Sequence, residues 1–287
     1  MIRQCIGVAS LLFVMGCGGD DGPGSRLVGG ADLELEDVSK DGELVAYIDA
    51  NGVLFVVPTD GGEPEEVAAD VDRARFEGNT LTIFQGVDAL GDTADVMLTW
   101  SPGGTATEAG TLVAPRSVRG AGSHLYHEER IAVGSGTKNL FLDGTMIVAE
   151  ALKERARFSP DGSYLVVGSN VDNGMTVLNQ VESFPTDGGA KVTLAADGAS
   201  NRFQITDDSQ NVIIAVNESG DVADLARIAI GGGSTEIIVD EGSDNGFSLL
   251  DGGTRLAFLA PDDPQSPTTF GLETIAVDGS GRSELVS

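Results

Sequence analysis

Short apolar runs alternate with Gly- and Asp-rich segments along most of this 287-residue chain. The clearest example begins with the turn sequence at 159–162, which precedes an apolar run at 164–167. Further runs at 175–178 and 191–194 are separated by polar loops. Runs rich in Val, Ile and Leu between turn-forming residues are typical of β-strands, and Asp-Gly and Gly-Gly pairs supply the positive φ angles of tight turns. The pattern therefore predicts an all-β chain of short antiparallel strands.

The same order of turns and runs recurs about every 40 to 45 residues, the length typical of a propeller blade. The copies lie at 31–70, 71–110, 111–152, 153–197, 198–242 and 243–287. The third is the most divergent: we expect Glu128 and Glu129 at its first turn, with 131–133 and 139–142 as its second and third strands. Four strands in each of six copies predict a six-bladed β-propeller of four-stranded antiparallel blades over residues 31–287.

Several turns match a known bacterial pattern. Ser159-Pro160-Asp161-Gly162 precedes an aliphatic strand, weaker forms occur at 39–42 and 250–253, and Thr-Asp-Gly-Gly recurs at 59–62 and 186–189. In these features the chain resembles the TolB-like, WD-repeat-related bacterial propellers. The resemblance implies a propeller fold over nearly the whole mature chain and a binding role like that of the periplasmic scaffold that heads the family. It transfers no partner-binding residue to this sequence.

The N-terminus has a different composition. Residues 6–15 form an apolar stretch too short to span a bilayer, and Val14-Met15-Gly16-Cys17 resembles the lipobox of bacterial lipoproteins. That resemblance implies a signal peptide at 1–16, a lipid on Cys17, a flexible tether at 17–30 and a place in the envelope, with the outer membrane favoured over the inner. An ordinary secretory signal with a chance cysteine is the alternative. The only other cysteine, Cys5, lies within the signal.

Acidic residues outnumber basic ones, 45 to 17, and the formal net charge is −28. Such a surface disfavours binding to nucleic acid and to anionic lipid headgroups. One interpretation is that the charge only keeps an exported protein soluble. The other is that loops on one face of the propeller attract a basic partner or a divalent cation. The residues predicted to form that face are Asp88, Asp92, Asp172, Asp221 and Asp224.

Candidate catalytic residues are few. The two histidines, His124 and His127, are three residues apart in a predicted strand, so their side chains should point to opposite faces and cannot share a metal. The sequence has no nucleophile elbow and no phosphate-binding glycine loop. We therefore predict a monomeric, non-enzymatic protein-binding scaffold with no catalytic residues, metal or cofactor. The alternative is a propeller hydrolase or lyase that uses carboxylates and a divalent cation at the channel mouth.

Overall fold

The computed structural model describes residues 33–77, 80–132, 135–172, 177–196, 202–219, 222–243, 247–261 and 270–286. The predicted signal peptide, Cys17, the tether and Asp221 lie outside these residues. Within them the regular structure is β-strand apart from two short 3-10 helices, Pro115–Ser117 and Asp251–Gly253. The described residues contain no helix that is long and apolar enough to cross a membrane.

The strands of the first three repeats are β1 (Glu34–Val38), β2 (Leu44–Ile48), β3 (Leu54–Pro58), β4 (Glu65–Ala68), β5 (Arg73–Glu77), β6 (Thr80–Gln85), β7 (Ala94–Trp100), β8 (Thr107–Val113), β9 (Arg119–Ala121), β10 (His124–Arg130), β11 (Lys138–Leu142) and β12 (Thr145–Phe158). Those that follow are β13 (Tyr164–Asp172), β14 (Val177–Pro185), β15 (Val192–Ala196), β16 (Phe203–Ile205), β17 (Asn211–Ser219), β18 (Val222–Ala229), β19 (Glu236–Ser243), β20 (Phe247–Leu250), β21 (Arg255–Pro261), β22 (Phe270–Ala276) and β23 (Ser283–Val286).

The all-β class and the four-stranded antiparallel sheets are confirmed. β1–β4, β16–β19 and β20–β23 each form a four-stranded sheet in which neighbours in sequence pair side by side. The remaining strands, β5–β15, form one larger sheet of eleven strands. Two links create it. β8 pairs with β10 at Val113 and Glu129, and β12 pairs with both β11 and β13.

β12 runs for 14 residues across the expected boundary between the third and fourth repeats. Its first part, from Thr145 to Ala151, pairs with β11, and its second part, from Lys153 to Phe158, pairs with β13. The segment contains no Gly, Pro, Asn or Asp, so it has none of the residues that usually end a strand in a turn. The boundary at 152/153 therefore lies inside a strand.

The third repeat differs from its sequence-based prediction. Glu128 and Glu129 lie inside β10 rather than at the first turn, and that turn is formed at 122–123, where Gly122 has a φ of 61°. Ile131 and Ala132 follow β10 as a bend and are not a strand. Two adjacent charged residues favour a turn in the sequence, but the strand accommodates them: Glu128 accepts from Tyr126 and Lys138, and Glu129 accepts from the Thr111 amide. The third strand, β11, was predicted correctly.

A hydrogen-bonded turn recurs at the start of three repeats. In the fourth repeat the Ser159 hydroxyl donates to Asp161 Oδ1 (2.7 Å) and accepts from the Tyr164 amide (3.0 Å). The carboxylate also accepts from the Ser163 amide (3.0 Å), and Gly162 takes the left-handed φ of 75°. The same hydroxyl-to-carboxylate bond measures 2.6 Å in both other copies, Ser39–Asp41 and Thr206–Asp208.

Within the described residues, buried apolar side chains form five clusters, each shared by two consecutive repeats. The cluster between the third and fourth, for example, contains Tyr126 and Leu140 from one and Leu165 and Phe184 from the other. Packing between consecutive repeats therefore buries faces that a single four-stranded repeat would leave in water.

Side chains on the first strand of one repeat also bind the backbone of the next first strand. Glu36 Oε2 accepts from the Ala74 amide (2.7 Å), Glu77 Oε2 from the Gly120 amide (3.0 Å) and Gln204 Oε1 from the Leu249 amide (3.0 Å). In addition, β1 contacts β5, and β9 contacts both β5 and β12. These contacts fix the first strands that line the cavity described next.

Candidate anion-binding site

A cavity of about 720 Å³ lies beside the first strands of the third and fourth repeats. Its lining is strongly basic, although the chain as a whole carries a net charge of −28. Six of the 17 Lys and Arg residues line it, against two carboxylates, Asp92 and Glu128. The basic residues, which together form what we call the basic pocket, are Arg116, Arg119, Arg130, Lys138, Arg155 and Arg157.

The short first strand of the third repeat explains why space exists here. β9 has only three residues and pairs with β10 only at positions 124–126. Before β9 the chain passes through the 3-10 helix Pro115–Ser117, so the later part of β10 has no paired strand on that side beyond the single link at Glu129. Side chains two apart in a strand share a face, and Tyr126, Glu128 and Arg130 all line the cavity.

A buried carboxylate with both oxygens engaged lines the basic pocket. Glu128 is only 5 % exposed. The Tyr126 hydroxyl donates to its Oε1 (3.0 Å), and Lys138 Nζ donates to its Oε2 (2.7 Å). Burial of a carboxylate is tolerated when a countercharge and hydrogen bonds replace its water. This arrangement satisfies the Lys138 charge from within the protein.

Four guanidinium groups of the basic pocket have no carboxylate of a described residue within ion-pairing distance: those of Arg119, Arg130, Arg155 and Arg157. Arg119 donates to the carbonyls of Arg116 and Val118, both at 2.7 Å. Arg130 donates to the carbonyl of Ser135 (3.5 Å), while its buried Nε has no hydrogen-bond acceptor among the described residues. Arg155 lies over the Phe203 ring, with its Cζ 5.6 Å from the ring centroid.

Electrostatic repulsion is built into this part of the pocket. The pKa of Arg155 is lowered from its ordinary value, first by burial and then by the like charges of Arg157 and Arg202. Burial and like charge both disfavour a cation. An anion bound between these groups would relieve both costs, so the arrangement favours occupancy by a negatively charged group.

The two histidines bind different carboxylates. His124 Nδ1 lies 2.8 Å from Asp143 Oδ2. His127 is buried, stacks on Phe141 and has its Nε2 3.3 Å from Glu129 Oε1. Burial lowers the pKa of His127 despite the attraction of Glu129. Over the described residues, no group of three or more metal-ligating side chains could hold a metal ion.

The four described aspartates predicted to form one acidic face lie in three different elements. Asp88 and Asp92 are in the β6–β7 loop, Asp172 is the last residue of β13, and Asp224 lies within β18. Asp88 accepts the amides of Leu90 (3.1 Å) and Asp92 (2.9 Å) and thereby closes its own loop.

Two of these aspartates have contacts that the sequence did not indicate. Asp224 accepts from the Asn217 amide group (2.7 Å) and the Glu241 backbone amide (3.0 Å). Asp92 lies in the lining of the basic pocket, 3.9 Å from Arg116 Nη1. The proposal that these aspartates form one binding face stays a prediction.

Sequence reasoning missed the basic pocket, although a signal was present. Seven of the 17 basic residues fall between positions 116 and 157 in a strongly acidic chain. In the net charge of −28, this local excess of basic residues is outweighed by the acidic residues in the rest of the chain. The seven residues are Arg116, Arg119, Arg130, Lys138, Lys153, Arg155 and Arg157.

No family model and no curated protein matches the chain. Among solved structures, it is similar to TolB from Acinetobacter baumannii (16 % identity, TM-score 0.42, 89 % of this chain and 63 % of that one). It is also similar to puromycin hydrolase (15 % identity, TM-score 0.42, 90 % of this chain and 47 % of that one). A third similar structure is the β-propeller domain of the Trilobed protease from Pyrococcus furiosus (10 % identity, TM-score 0.41, 89 % of this chain and 86 % of that one). The chain thus spans less than two thirds of the first two structures. These similarities do not decide between a binding role and an enzymatic role.

Proposed function

We propose that this chain is a non-enzymatic binding module of the bacterial envelope and that its ligand is negatively charged and enters the basic pocket. The observation that carries the proposal is the concentration of six of 17 cations around one cavity in a chain of net charge −28. Cations held by strands and hydrogen bonds are pre-organised for an anion, which reduces the ordering cost of binding.

The proposed architecture is a six-bladed propeller. In this interpretation the larger sheet comprises three blades: β5–β8, then β9–β11 with the first part of β12, then the second part of β12 with β13–β15. The sharing of clusters between consecutive repeats supports the arrangement. In a propeller the loops between strands two and three and those between blades share one face. Asp92 and Arg116, which lie in loops of these two kinds, are neighbours here.

The proposed location is the bacterial cell envelope, where a lipid anchors the protein to a membrane. Cleavage after residue 16 would leave Cys17 as the lipidated first residue, and 17–30 would tether the propeller to the outer membrane, which we favour over the inner. Support comes from the lipobox-like sequence alone. A monomer on such a tether could present the basic pocket to ligands in the envelope.

Glu128 contributes to the wall of the basic pocket rather than to its anion-binding groups. Its carboxylate carries the same sign of charge as the proposed ligand, so it needs partners of its own inside the protein. Both Glu128 oxygens are already engaged by Tyr126 and Lys138. The carboxylate therefore acts as a structural partner of the pocket wall.

The experiment is capture of envelope ligands by the purified, immobilised protein, with elution by salt and identification by mass spectrometry. Wild type should retain anionic species that Arg155→Gln/Arg157→Gln loses. A matched control, Arg227→Gln/Arg282→Gln, removes two cations from ion pairs elsewhere on the sheets and should retain them. Equal retention by the pocket variant would reject the assignment of the site, and conversion of the retained species on incubation would reject the non-enzymatic role.

A further inference from the structure

We infer that the basic pocket takes a small ligand with at least two carboxylate or phosphate groups, held by Arg155 and Arg157 from one strand and by Arg119 and Arg130 from the neighbouring repeat. The inference rests on the proposed function and specifies the size and valence of the anion.

The argument for a small ligand begins with the volume of the cavity. At about 720 Å³ it falls within the range of roughly 300–1,000 Å³ typical of small-molecule sites. The 45 acidic residues of the chain repel a long acidic polymer along its whole length. A compact anion inside the cavity interacts mainly with the cations around it, since charges are screened beyond about 8 Å at physiological salt.

The argument for two or more anionic groups comes from the number and placement of unpaired guanidiniums. Arg155 and Arg157 are two residues apart on β12, whereas Arg119 belongs to β9 and Arg130 to β10. One carboxylate or phosphate can accept a parallel pair of hydrogen bonds from one guanidinium. A monovalent anion would therefore leave most of these groups without a countercharge.

Arg130 provides an independent indication. Its Nε is buried and, among the described residues, finds no acceptor, whereas nearly all buried donors in folded proteins are paired. Because Arg130 also lines the cavity, an oxygen of a bound ligand or a water held with it is the natural acceptor. Lys138, already bound to Glu128, is not needed for this recognition.

The test is isothermal titration at constant ionic strength, balanced with sodium chloride, with citrate, pyrophosphate, acetate and poly-L-glutamate as probes. Citrate or pyrophosphate should bind wild type at least about tenfold more tightly than acetate does, the ratio expected from one additional charge-assisted contact. Preference for citrate would indicate a carboxylate ligand, and preference for pyrophosphate a phosphorylated one. Either result supports the inference.

Arg157→Gln is the variant least able to disturb folding, because this side chain is exposed and no described residue binds it. It should weaken binding of the preferred probe about tenfold. Arg227→Gln should leave binding unchanged. Arg157→Lys should bind more tightly than Arg157→Gln but more weakly than wild type, since lysine supplies the positive charge without the two parallel N–H donors of a planar guanidinium.

The remaining outcomes separate the two proposals. Binding of poly-L-glutamate in an Arg157-dependent manner, without binding of citrate or pyrophosphate, would overturn the small-ligand inference and leave the proposed function standing. The small-ligand inference and the proposed function would both be overturned if no anion binds. They would also be overturned if neither Arg157→Gln nor Arg155→Gln changes the affinity.

Discussion

The backbone amide of Asp161 donates a hydrogen bond to the hydroxyl of Ser209 over 3.1 Å. The two residues lie in equivalent turns of consecutive repeats. Ser209 has the left-handed φ of 60°, where the preceding repeat has Gly162 at 75°. A serine in this conformation carries a cost that glycine avoids. Its side chain offsets that cost by linking the two turns.

The linked turns predict different outcomes for two substitutions at the same position. Ser209→Ala keeps the left-handed strain and loses the hydrogen bond, so it should lower the free energy of unfolding by about 1 kcal/mol. Ser209→Gly loses the same bond but relieves about 1 kcal/mol of strain, so it should stay close to wild type. Urea denaturation of the three proteins measures both values. Equal destabilisation by Ala and Gly would show that the backbone conformation carries no cost.

Gly162 should tolerate no β-branched residue. Its φ of 75° is costly for any side chain, and Gly162→Val should destabilise the protein by roughly 1–3 kcal/mol. Crowding is a small part of this cost, because an added Cβ would lie 3.5 Å from Cβ of Ala121.

Gly136→Val is the matched control for this change, since an added Cβ there meets nothing within 4 Å and its φ is outside the left-handed range. Thermal denaturation of both variants gives the comparison. A melting temperature of Gly162→Val equal to that of the control would contradict the turn assignment.

Acid should weaken the repeated turns. The Ser159 hydroxyl first, and then the Ser163 amide, hold the pKa of Asp161 below its ordinary value of 3.8. A carboxyl with a lower pKa in the folded state contributes stability above its unfolded pKa, and this is lost as the pH falls through the folded value. Asp161→Asn should therefore destabilise the protein most near neutral pH.

The measurement is a series of urea midpoints between about pH 6 and about pH 3, where the unfolded carboxyl titrates. The difference between wild type and Asp161→Asn should shrink towards the acid end. Asp41→Asn, in the equivalent turn of the first repeat, should show the same trend, because the Ser39 hydroxyl likewise lowers the pKa of Asp41. A difference that grows as the pH falls would have the wrong sign for this explanation.

The acidic loops predict a salt-dependent encounter with a basic partner. Replacement of Asp88, Asp92 and Asp224 by Asn should reduce the association rate more than it changes the dissociation rate, because exposed charges act mainly on the approach. Surface plasmon resonance with a basic peptide at several salt concentrations measures both rates. If a divalent cation is the ligand instead, the same variant should lose a calcium-dependent rise in melting temperature.

The control for the acidic loops removes the same number of charges from exposed positions outside the strands: Asp60→Asn, Asp187→Asn and Glu63→Gln. Equal slowing in both triple variants would mean that only total charge matters. If wild type shows neither a salt-dependent partner nor a calcium effect, the acidic residues serve solubility alone.

Cys17 should be the site of lipid attachment. Cys17→Ser should abolish incorporation of a fatty-acid analogue in metabolic labelling, because the thiol that accepts the lipid is gone. Cys5→Ser is the internal control: this cysteine would leave with the signal peptide, and labelling of the mature protein should persist. Undiminished labelling of Cys17→Ser would exclude the lipoprotein interpretation.

The period of the fold could be predicted from the sequence because each turn carries its own local signal. Gly42 and Gly162 occupy positive-φ positions at the expected turns. β10 and β12 were harder. In β10, the charged residue Glu128 indicates a polar turn in the sequence, whereas in the structure it is buried in a strand and pairs with Lys138. In β12, no turn residue separates two expected strands, and they form one continuous strand. The burial of Glu128 depends on Lys138, which lies on a different strand, and the length of β12 follows from the lack of a turn residue, so neither is marked by a local sequence pattern.

The basic pocket could not be derived from strand patterns. Its walls come from the 3-10 helix and from β9, β10, β11 and β12, and only the pairing of these strands brings Arg119 and Arg155 to the same cavity. Alternation of apolar and polar residues assigns a face to each side chain. It does not show which faces of separate strands border the same space.

The continuous strand β12 joins the β11 side and the β13 side of the eleven-stranded sheet into one unit that should open and fold together. Residues from Thr145 to Ala151 hydrogen-bond to β11, and those from Lys153 to Phe158 to β13, without a loop that could act as a hinge. Amide protons on both parts should therefore exchange with solvent through a shared opening event. A ligand held by Arg155 and Arg157 would slow that exchange along the full length of β12 and at the β11 amides paired with it, so occupancy of the pocket could be followed by hydrogen exchange in both strands.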